Sequence, residues 1–427
     1  MNKLSIFLVI GFINACMPAE KNEDGSFFLS NETSINRADE PIVLTREILK
    51  LHTAEWPAGL SPVIYDSADK VIPQQHDDID GDGEWDEIAF TAEIPANTKK
   101  QFSIKFTELS VLPAFDNRTN VRFGIKNEKG EVEPVTEYSL PAKSLPRGDN
   151  KIFQMDGPAW ENDLVGYRHY FDGRNTRDLF GKTTRAMVLD EVGLQEGEIF
   201  DNYHVLNDWG RDVLSVGNSI GLGGIGAWYN GEARRIGVTL NDSTNNVAKT
   251  DYKLIVEGPV RSIFEINYNE WQLGEATFNA SNKITIWAGQ YGFKGEVAFE
   301  ENAPDTIIVG LVNSNNNQPM FPAEPIGDWI PVATHDKQTY DNEYWLGMAL
   351  IVPANKFLSC EESGPESQSV STSFNALIEN NSNTPFHYYT LSGWELTDDG
   401  FAKRDFFEEF LQKEVKKIDE PVILSWR

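Results

Sequence analysis

The sequence predicts a mainly β protein in which an N-terminal β-sandwich is followed by a large antiparallel β-sandwich. Apolar and polar residues alternate in stretches such as "FSIKFTEL", "YKLIVEG" and "NKITIWAG", and turn residues bound these stretches, which is typical of half-buried strands. Helical periodicity is convincing mainly in "DGFAKRDFFEEFLQKEVKKI", where Asp399 can cap the helix. The unpatterned, proline-containing stretch "SLPAKSLPRGDNK" predicts a linker. We therefore assign residues 27–140 to the first sandwich and residues 150–427 to the second, which is the candidate catalytic domain.

The composition bounds the class of partner. The chain has 427 residues and a formal net charge of -29, and 40% of its residues are hydrophobic, so a sizeable core is available. Binding to nucleic acid draws on clustered Lys and Arg side chains, and so does electrostatic docking on anionic lipid. The acidity of the chain therefore argues against both partners. An anionic substrate would need local Arg, Lys and His side chains that overcome the overall field.

The N-terminus has the features of an export signal. A basic start at Lys3 is followed by an apolar run that is too short to span a membrane as a mature helix. The "INAC" ending resembles a lipoprotein box, so we expect residues 1–15 to be a signal peptide, Cys16 to carry lipid and residues 16–26 to form a tether. This predicts an outer-membrane lipoprotein, on the periplasmic or cell-surface face, that touches the membrane only through its lipid; an ordinary signal peptide is the alternative. The one other cysteine, Cys360, leaves no disulfide framework and no cysteine metal cluster.

An acidic stretch, "HDDIDGDGEWDEIAF", leads into a predicted strand. Asp78, Asp80, Asp82 and Asp86 occupy positions one, three, five and nine of an EF-hand-like loop, and the glycine at position six permits a sharp turn. Position twelve is Ala89 instead of the bidentate Glu, and a strand follows instead of a helix. Carboxylate oxygens suit Ca²⁺, so we expect a structural Ca²⁺ site here and no organic cofactor in the protein. A solvated, metal-free acidic turn is the alternative.

The densest group of chemically active residues lies in "GPAWENDLVGYRHYFDGRNTRDLFGK". On a strand, Arg168, Tyr170 and Asp172 share one face, whereas His169 lies on the other. Arg can bind a carboxylate through two hydrogen bonds, and Tyr and His can transfer protons. The stretch is therefore a candidate active site. A structural ladder of salt bridges and stacked aromatic rings is the alternative.

Two further stretches place histidines beside aromatic residues. In "DNYHVLNDWGRDVLSVGNSIGLGGIGAW", His204 lies near Trp209 and Arg211, and the glycine-rich end lacks the strand–turn–helix context of a dinucleotide site. In "TPFHYYTLSGWE", His387 precedes Tyr388. The sequence contains neither a serine nucleophile elbow nor an HExxH zinc motif. The His, Tyr and Trp residues instead suit carbohydrate, because sugar C–H faces stack on indole rings.

Together these stretches resemble a family of secreted bacterial proteins described as a domain of unknown function. The resemblance rests on "IPQQHDDIDGDGEWDEIAF", "GPAWENDLVGYRHYFDGRNTRDLFGK", "YHVLNDWGRDVLSVGNSIGLGGIGAW" and "PFHYYTLSGWE", and it covers nearly the whole mature chain. The family occurs in polysaccharide-utilisation systems, sometimes fused to unsaturated-uronyl hydrolases, and it looks related to the galactose-mutarotase-like super-sandwich. Its characterised activity is that of an ulvan oligosaccharide dehydratase. The resemblance implies this fold here, and it implies removal of water from a non-reducing-end uronic acid to leave a 4,5-unsaturated sugar.

Such a reaction makes definite chemical demands. A cation must neutralise the uronate carboxylate, for which we expect Arg168 first and Arg211 second. A base must take the C5 proton, and His169, His204 or Tyr170 could serve. Because Arg168 and His169 point to opposite faces of a strand, Arg168 and Tyr170 are the pair expected to share the site with His204.

An acid must protonate the departing 4-hydroxyl, and we expect His387 or Tyr388 to supply that proton. The predicted substrate-binding residues are Arg168, Arg211, Trp160, Tyr388, Trp209 and Trp394. The expected partner is an oligosaccharide that contains uronic acid. The alternatives are a polysaccharide lyase, a mutarotase or an epimerase on the same fold, because fold does not fix function, or a non-catalytic glycan-binding lipoprotein.

Overall fold

The computed structural model describes residues 25–53, 56–142, 152–239, 242, 244–300, 302–380 and 384–427. The predicted signal peptide, Cys16 and nearly all of the tether lie outside the described residues, as does most of the predicted linker. Across the described ranges, no helix combines the length and the apolarity that are needed to cross a membrane.

Strands dominate the chain. In order they are β1 (Ser26–Asn31), β2 (Arg37–Thr45), β3 (Ser61–Tyr65), β4 (Gln74–Asp77), β5 (Glu87–Ile94), β6 (Thr98–Thr107), β7 (Thr119–Arg122), β8 (Gly124–Lys126), β9 (Val132–Pro134), β10 (Glu137–Pro141), β11 (Ala159–Asn162), β12 (Val165–His169), β13 (Arg177–Lys182), β14 (Leu194–Gln195), β15 (Glu198–Ile199), β16 (Gly210–Asp212), β17 (Ile225–Tyr229), β18 (Glu232–Arg235), β19 (Val247–Val256), β20 (Arg261–Leu273), β21 (Ala276–Trp287), β22 (Gly292–Phe299), β23 (Thr306–Val312), β24 (Trp329–Asp336), β25 (Leu346–Pro353), β26 (Phe357–Ser363), β27 (Ser373–Glu379), β28 (Phe386–Trp394) and β29 (Ile423–Trp426). The α-helices are α1 (Arg46–His52) and α2 (Arg404–Asp419), and short 3-10 turns cover Leu109–Val111, Gln154–Asp156 and Asp399–Ala402.

The first sandwich pairs a four-stranded sheet with a three-stranded sheet. The strand orders are β29-β1-β6-β3 and β2-β5-β4. Apolar side chains from both sheets form one core, among them Phe27 and Phe102 from the first sheet and Ile88 and Phe90 from the second. The alternation that predicted these strands therefore also supplies the apolar faces that hold the two sheets together.

The boundary between the two units differs from the predicted residue 140. β7 pairs with β11 and β10 pairs with β19, so both strands belong to sheets of the second unit. The first sandwich therefore ends before Thr119, and it takes in β29 from the far end of the chain. Proline and glycine predict an irregular segment, but they do not show whether the strands before that segment pair within the first unit or with strands of the second.

The second unit is built on an eight-stranded sheet, here called the large sheet, with the order β10-β19-β20-β21-β22-β28-β25-β24. Two five-stranded sheets, β16-β13-β12-β11-β7 and β18-β17-β23-β27-β26, complete it. The strand pairs run antiparallel, and one hydrophobic core contains side chains from all three sheets, such as Tyr167, Phe293 and Val309. The predicted mainly β, antiparallel sandwich architecture is confirmed.

The predicted C-terminal helix is present, although its start differs from the expectation. The side chain of Asp398, not Asp399, accepts the capping hydrogen bond, and it caps the short 3-10 turn that precedes α2. The buried stripe Phe407, Leu411 and Val415 of α2 packs on the outer face of the large sheet, next to Leu391. This helix therefore covers the outer face of the large sheet, while β12 packs against the inner face through Tyr167.

Candidate active site

Strand β12 divides its side chains between two environments. Tyr167 points into the core, where its ring centroid lies 4.8 Å from that of Phe293. His169 follows the same direction and is fully buried, with Nε2 3.2 Å from the side-chain oxygen of Asn175. Arg168 points the other way, as strand geometry requires. The structure thus separates Arg168 from His169, because neighbouring residues of a strand face opposite sides.

Arg168 is the centre of a buried ionic cluster. Its Nη2 donates hydrogen bonds to Oδ2 of Asp178 at 2.7 Å and to Oδ2 of Asp212 at 2.6 Å. The hydroxyl of Tyr170 donates to the same Asp178 oxygen at 2.7 Å, and it also contacts Arg168. We call these four residues, Arg168, Tyr170, Asp178 and Asp212, the Arg168 cluster. The strand pattern predicted that Arg168 and Tyr170 lie on the same face, as they do in the structure, but it did not predict Asp178 and Asp212.

The sheet register explains how the cluster assembles. Arg168 on β12 lies directly opposite Asp178 on β13, and opposite residues of an antiparallel pair project from the same face. Asp212 ends β16, the next strand of the same sheet. Charged residues inside apolar strands, as in "RDLFGK" and "RDVL", are the signal that could have identified Asp178 and Asp212, because such residues are rarely buried without a partner.

The charges of the cluster are set by burial and by mutual contact. Burial, with the nearby Asp178 carboxylate, raises the pKa of Asp212 well above its ordinary value. Burial likewise raises the pKa of Tyr170 well above its usual range. For Arg168, burial lowers the pKa, but Tyr170, Asp212 and Asp178 outweigh that effect and the pKa ends well above its ordinary value. Arg168 therefore stays charged, and Asp212 can retain a proton at a pH where most aspartates have lost theirs.

His204 lies at the solvent-facing edge of the cluster. Its side chain is 47% exposed, and Nδ1 lies 3.5 Å from Oδ2 of Asp212. Burial and the nearby Arg168 charge lower the pKa of His204, so the imidazole is neutral at pH 7. Asp212 thus links a buried arginine to an accessible, unprotonated histidine.

A second acidic group reaches the same edge on strained backbone. Met155 and Asp156 both have left-handed φ angles, 54° and 61°, which non-glycine residues adopt only at an energetic cost. The Asp156 carboxylate lies 3.8 Å from Nη1 of Arg168 and 3.6 Å from Nη2 of Arg174. Burial raises the pKa of Asp156. Nη1 of Arg168 is buried and finds no hydrogen-bond acceptor among the described residues, so one strong donor is left over on this side.

Arg174 borders this edge and remains one-third exposed. Its Nη2 lies 2.7 Å from Asp172, and its guanidinium lies 3.8 Å from the centroid of the Tyr170 ring. The predicted grouping of Arg168, Tyr170 and Asp172 on one side of the strand is therefore present, extended by Arg174 and Asp156.

The rim around His204 is apolar and aromatic. Phe200, Val205 and Leu206 are exposed large side chains next to His204 in the chain, and Tyr340 is 54% exposed. The Tyr340 ring centroid lies 6.3 Å from the imidazole of His204, and the two planes are tilted by 33°. Exposed aromatic faces beside polar groups are what sugar rings require.

Arg211 does not face the cluster; it secures the loop that carries Tyr340. Its Nη1 lies 2.7 Å from Oδ2 of Asp341, and the backbone N–H of Tyr340 donates to Val213 at 2.7 Å. Trp209 packs against Phe180, with ring centroids 5.9 Å apart. Arg211, predicted to bind substrate directly, thus supports the rim.

The structure does not bring His387 and Tyr388 to the cluster. On β28 they alternate: Tyr388 points into the core, where its hydroxyl lies 2.6 Å from Nη1 of Arg177, and His387 points out, with its ring 5.3 Å from that of Trp329. The third predicted stretch therefore contributes to the core and to the outer face of the large sheet. Trp160 and Trp394 are also buried, so neither offers an indole face to a sugar.

The acidic loop lies apart, between β4 and β5 of the first sandwich. One carboxylate oxygen each from Asp78, Asp80 and Asp86 lies within 4.8 Å of the others. This all-oxygen donor set is the kind that Ca²⁺ prefers. Asp82 is outside that group, and its Oδ1 accepts the backbone N–H of Glu84 at 2.8 Å.

Three comparisons place the chain among known proteins. It belongs to the family described as "Domain of unknown function (DUF4861)", whose model matches residues 29–423, so the predicted family resemblance is confirmed. It is 24% identical, over 98% of both chains, to "Uncharacterized protein P7" of Formosa agariphila. Among solved structures it is similar, at 10% identity and a TM-score of 0.47, to an alpha-mannosidase and to a glycosyl hydrolase family 38 protein of Enterococcus faecalis, covering 94% of this chain. The chain spans 45% and 47% of the length of those two proteins.

Proposed function

We propose that this DUF4861 member is a carbohydrate-active lyase. It is a dehydratase that removes water from the non-reducing-end uronic acid of ulvan-type oligosaccharides and leaves a 4,5-unsaturated uronyl end. The observation that carries the proposal is the neutral, half-exposed His204, which lies 3.5 Å from Asp212 at the edge of a buried ionic cluster. The family resemblance supplies the choice of reaction.

The reaction breaks the C5–H and C4–O bonds and forms the C4=C5 double bond, and water leaves without any change of oxidation state. A base takes the C5 proton, and an acid delivers a proton to the departing 4-hydroxyl. The carboxylate on C5 must be neutralised so that negative charge can develop beside it. Each demand has a candidate group at the edge that His204 and Asp156 share.

His204 is the base in this proposal. Its pKa is lowered, so it is unprotonated at neutral pH, and the imidazolium that forms on proton transfer lies beside Asp212. Asp156 is the acid, because burial raises its pKa and strained backbone fixes its position. Arg174 faces the substrate carboxylate, and behind it lies Nη1 of Arg168, which is 3.8 Å from Asp156 and has no hydrogen-bond acceptor among the described residues.

The cationic groups of the edge are partly offset by neighbouring acids. When Asp156 and Asp212 are protonated, the positive charges of Arg168 and Arg174 equal the negative charges of Asp172 and Asp178, and Asp201 adds a further negative charge near His204. In this proposal the guanidinium of Arg174 binds the anionic ring, and proton abstraction adds one positive charge on the imidazole of His204. The exposed Tyr340 ring suits the next sugar of an oligosaccharide.

The experiment that tests the proposal follows the product. Ulvan oligosaccharides incubated with the protein should gain the ultraviolet absorbance of a conjugated uronate, and the product should be lighter by one water. His204→Gln should lower the rate by about 10²–10⁴-fold, the usual contribution of a general base. His387→Gln is the matched control and should act like wild type. Shortened oligosaccharide chains would instead identify a polysaccharide lyase. A product of unchanged mass and altered stereochemistry would identify an epimerase or a mutarotase, and binding without turnover would identify a glycan-binding lipoprotein.

We also propose that the protein is exported and anchored through lipid on Cys16, which places it at the outer membrane. Growth with an alkyne-tagged fatty acid should label the wild type and leave Cys16→Ser unlabelled. Equal labelling of both proteins would contradict the anchor.

A further inference from the structure

A cavity of about 250 Å³ lies on the outer face of the large sheet, where three parts of the chain meet. Its floor comes from β21, β22 and β28, one wall from β2 of the first sandwich, and its roof from the last turns of α2. The hydrophobic core separates it from the Arg168 cluster, since Phe293 packs against Tyr167 on the inner face of the same sheet. The cavity is therefore distinct from the candidate active site.

The floor of the cavity carries a polar row. Lys294 lies directly opposite Thr285 on one neighbouring strand and Tyr389 on the other, so a hydroxyl, an ammonium and a phenol stand side by side on one face. Burial lowers the pKa of Lys294. Within the described part of the chain, neither the ammonium of Lys294 nor the hydroxyls of Thr285 and Tyr389 have a hydrogen-bonding partner.

The remaining cationic and anionic groups of the cavity are already matched. Glu40 pairs with Arg37 at 2.8 Å, and Lys417 lies close to Glu414 in an ion pair. Lys294 forms no ion pair with the described residues, and Glu296, the carboxylate that acts on it, is already held by Lys283 at 3.0 Å. Next to the polar row, Trp287, Leu391 and Ile418 supply an apolar surface, with Pro41 and Pro421 at the margin.

We propose that this cavity binds a small ring molecule that carries one carboxylate, such as a single uronate sugar. The carboxylate pairs with Lys294, the hydroxyls meet Thr285 and Tyr389, and the C–H face of the ring packs on Trp287. The volume is just below the roughly 300–1,000 Å³ of sites for drug-sized ligands, so it suits one ring and not an oligomer. A bound ring would bridge the first sandwich, the large sheet and α2, and would stabilise their association.

Sodium glucuronate is the probe, and tryptophan fluorescence is the readout. We expect saturable binding by the wild type, with a fluorescence change that disappears in Trp287→Phe. Lys294→Met should weaken binding at least tenfold, because it leaves the carboxylate without its cation. Lys249→Met is the matched control: this lysine lies on β19 of the same sheet and pairs with Asp251 at 2.8 Å, away from the cavity, so affinity should stay unchanged.

The neutral sugar methyl glucoside tests the role of the carboxylate and should bind at least tenfold more weakly than glucuronate. Circular dichroism confirms that each variant is folded; should Lys294→Met fail that check, Tyr389→Phe should still weaken binding several-fold. Absence of saturable binding to the wild type would overturn the proposal, and so would a fluorescence change that persists in Trp287→Phe. A folded Lys294→Met variant that binds like wild type, or equal affinity for the neutral sugar, would also overturn it. Dehydratase turnover does not enter this test, so its outcome is independent of the proposed function.

Discussion

Replacing Arg168 with Met should produce a loss of stability that depends strongly on pH. Arg168 is buried, and its Nη2 lies 2.7 Å from Asp178 and 2.6 Å from Asp212, which are buried as well. Methionine fills much of the same volume but removes the charge that compensates both carboxylates. The variant must then keep two neighbouring carboxyl groups in the protein interior without their cation.

Breaking a buried ion pair by removing one partner typically costs about 3–5 kcal/mol in the free energy of unfolding. Asp212 already has a raised pKa, and loss of Arg168 raises it further. The folded variant therefore binds a proton that the unfolded chain releases near its ordinary value of 3.8. Between that value and the raised pKa, stability should fall by about 1.4 kcal/mol for each unit of rising pH. The wild type loses stability in the same way up to its own raised pKa of Asp212, so the extra loss caused by the substitution should grow above that pKa and be larger at pH 8 than at pH 5.

Urea unfolding at pH 5 and pH 8, followed by circular dichroism, measures this difference. Arg234→Met is the matched control, because Arg234 pairs with Glu232 on the surface and both side chains are more than 40% exposed. Exposed pairs contribute about 0–1 kcal/mol, so that variant should lose little at either pH. An Arg168→Met variant that loses the same free energy at both pH values would refute the reasoning that the cluster aspartates respond to the missing charge.

Three further predictions concern the edge of the cluster and the acidic loop. The kcat/KM for dehydration should rise with pH through the lowered pKa of His204, which lies below 6.5, and should fall again through the raised pKa of Asp156. The Asp156→Asn variant should lose the fall at high pH, and a pH profile that this substitution leaves unchanged would contradict the role of Asp156 as the acid. Tyr340→Ala should weaken oligosaccharide binding by roughly 0.5–1.5 kcal/mol while Tyr340→Phe retains it, as an aromatic platform requires, and equal KM values for all three proteins would argue against the platform. Ca²⁺ at 100 times its Kd should stabilise the protein against thermal unfolding by about 2.7 kcal/mol. A chelator or Asp80→Asn should remove this stabilisation, and Asp82→Asn should retain most of it. A Tm that does not change with Ca²⁺ would identify the loop as a metal-free turn.

Local pattern predicted the parts of the site that lie within one strand. The alternation in "VGYRHYFD" separates Arg168 and Tyr170 from His169, and the structure has this separation because side chains of a strand project alternately. The same rule accounts for the placement of His387, which we expected to share the site with His204. The rule places His387 and Tyr388 on opposite faces of the strand, but it does not show which face contacts the core. In the structure Tyr388 points into the core, and His387 lies on the outer face of the large sheet, which is also the face that α2 covers.

Pairings between distant segments were beyond sequence pattern for a physical reason. Asp178 and Asp212 reach Arg168 through the register of β12, β13 and β16, and register depends on which strands become neighbours, not on the composition of any one of them. The difference at the boundary has the same origin, because β7 and β10 pair with β11 and β19 of the second unit, and β29 returns from the far end of the chain to pair with β1.

That returning strand also joins the two units mechanically. The acidic loop ends in Asp77 and Glu87, and both carboxylates bind Arg261 at the start of a strand in the large sheet. The first sandwich is therefore held at one place by β29 and at another by this buried ion pair, and neither link is local in sequence. A cation bound in the acidic loop would therefore stabilise the association of the two units as well as the loop itself. The reason is that Asp77 and Glu87, which bind Arg261, lie at the two ends of that loop.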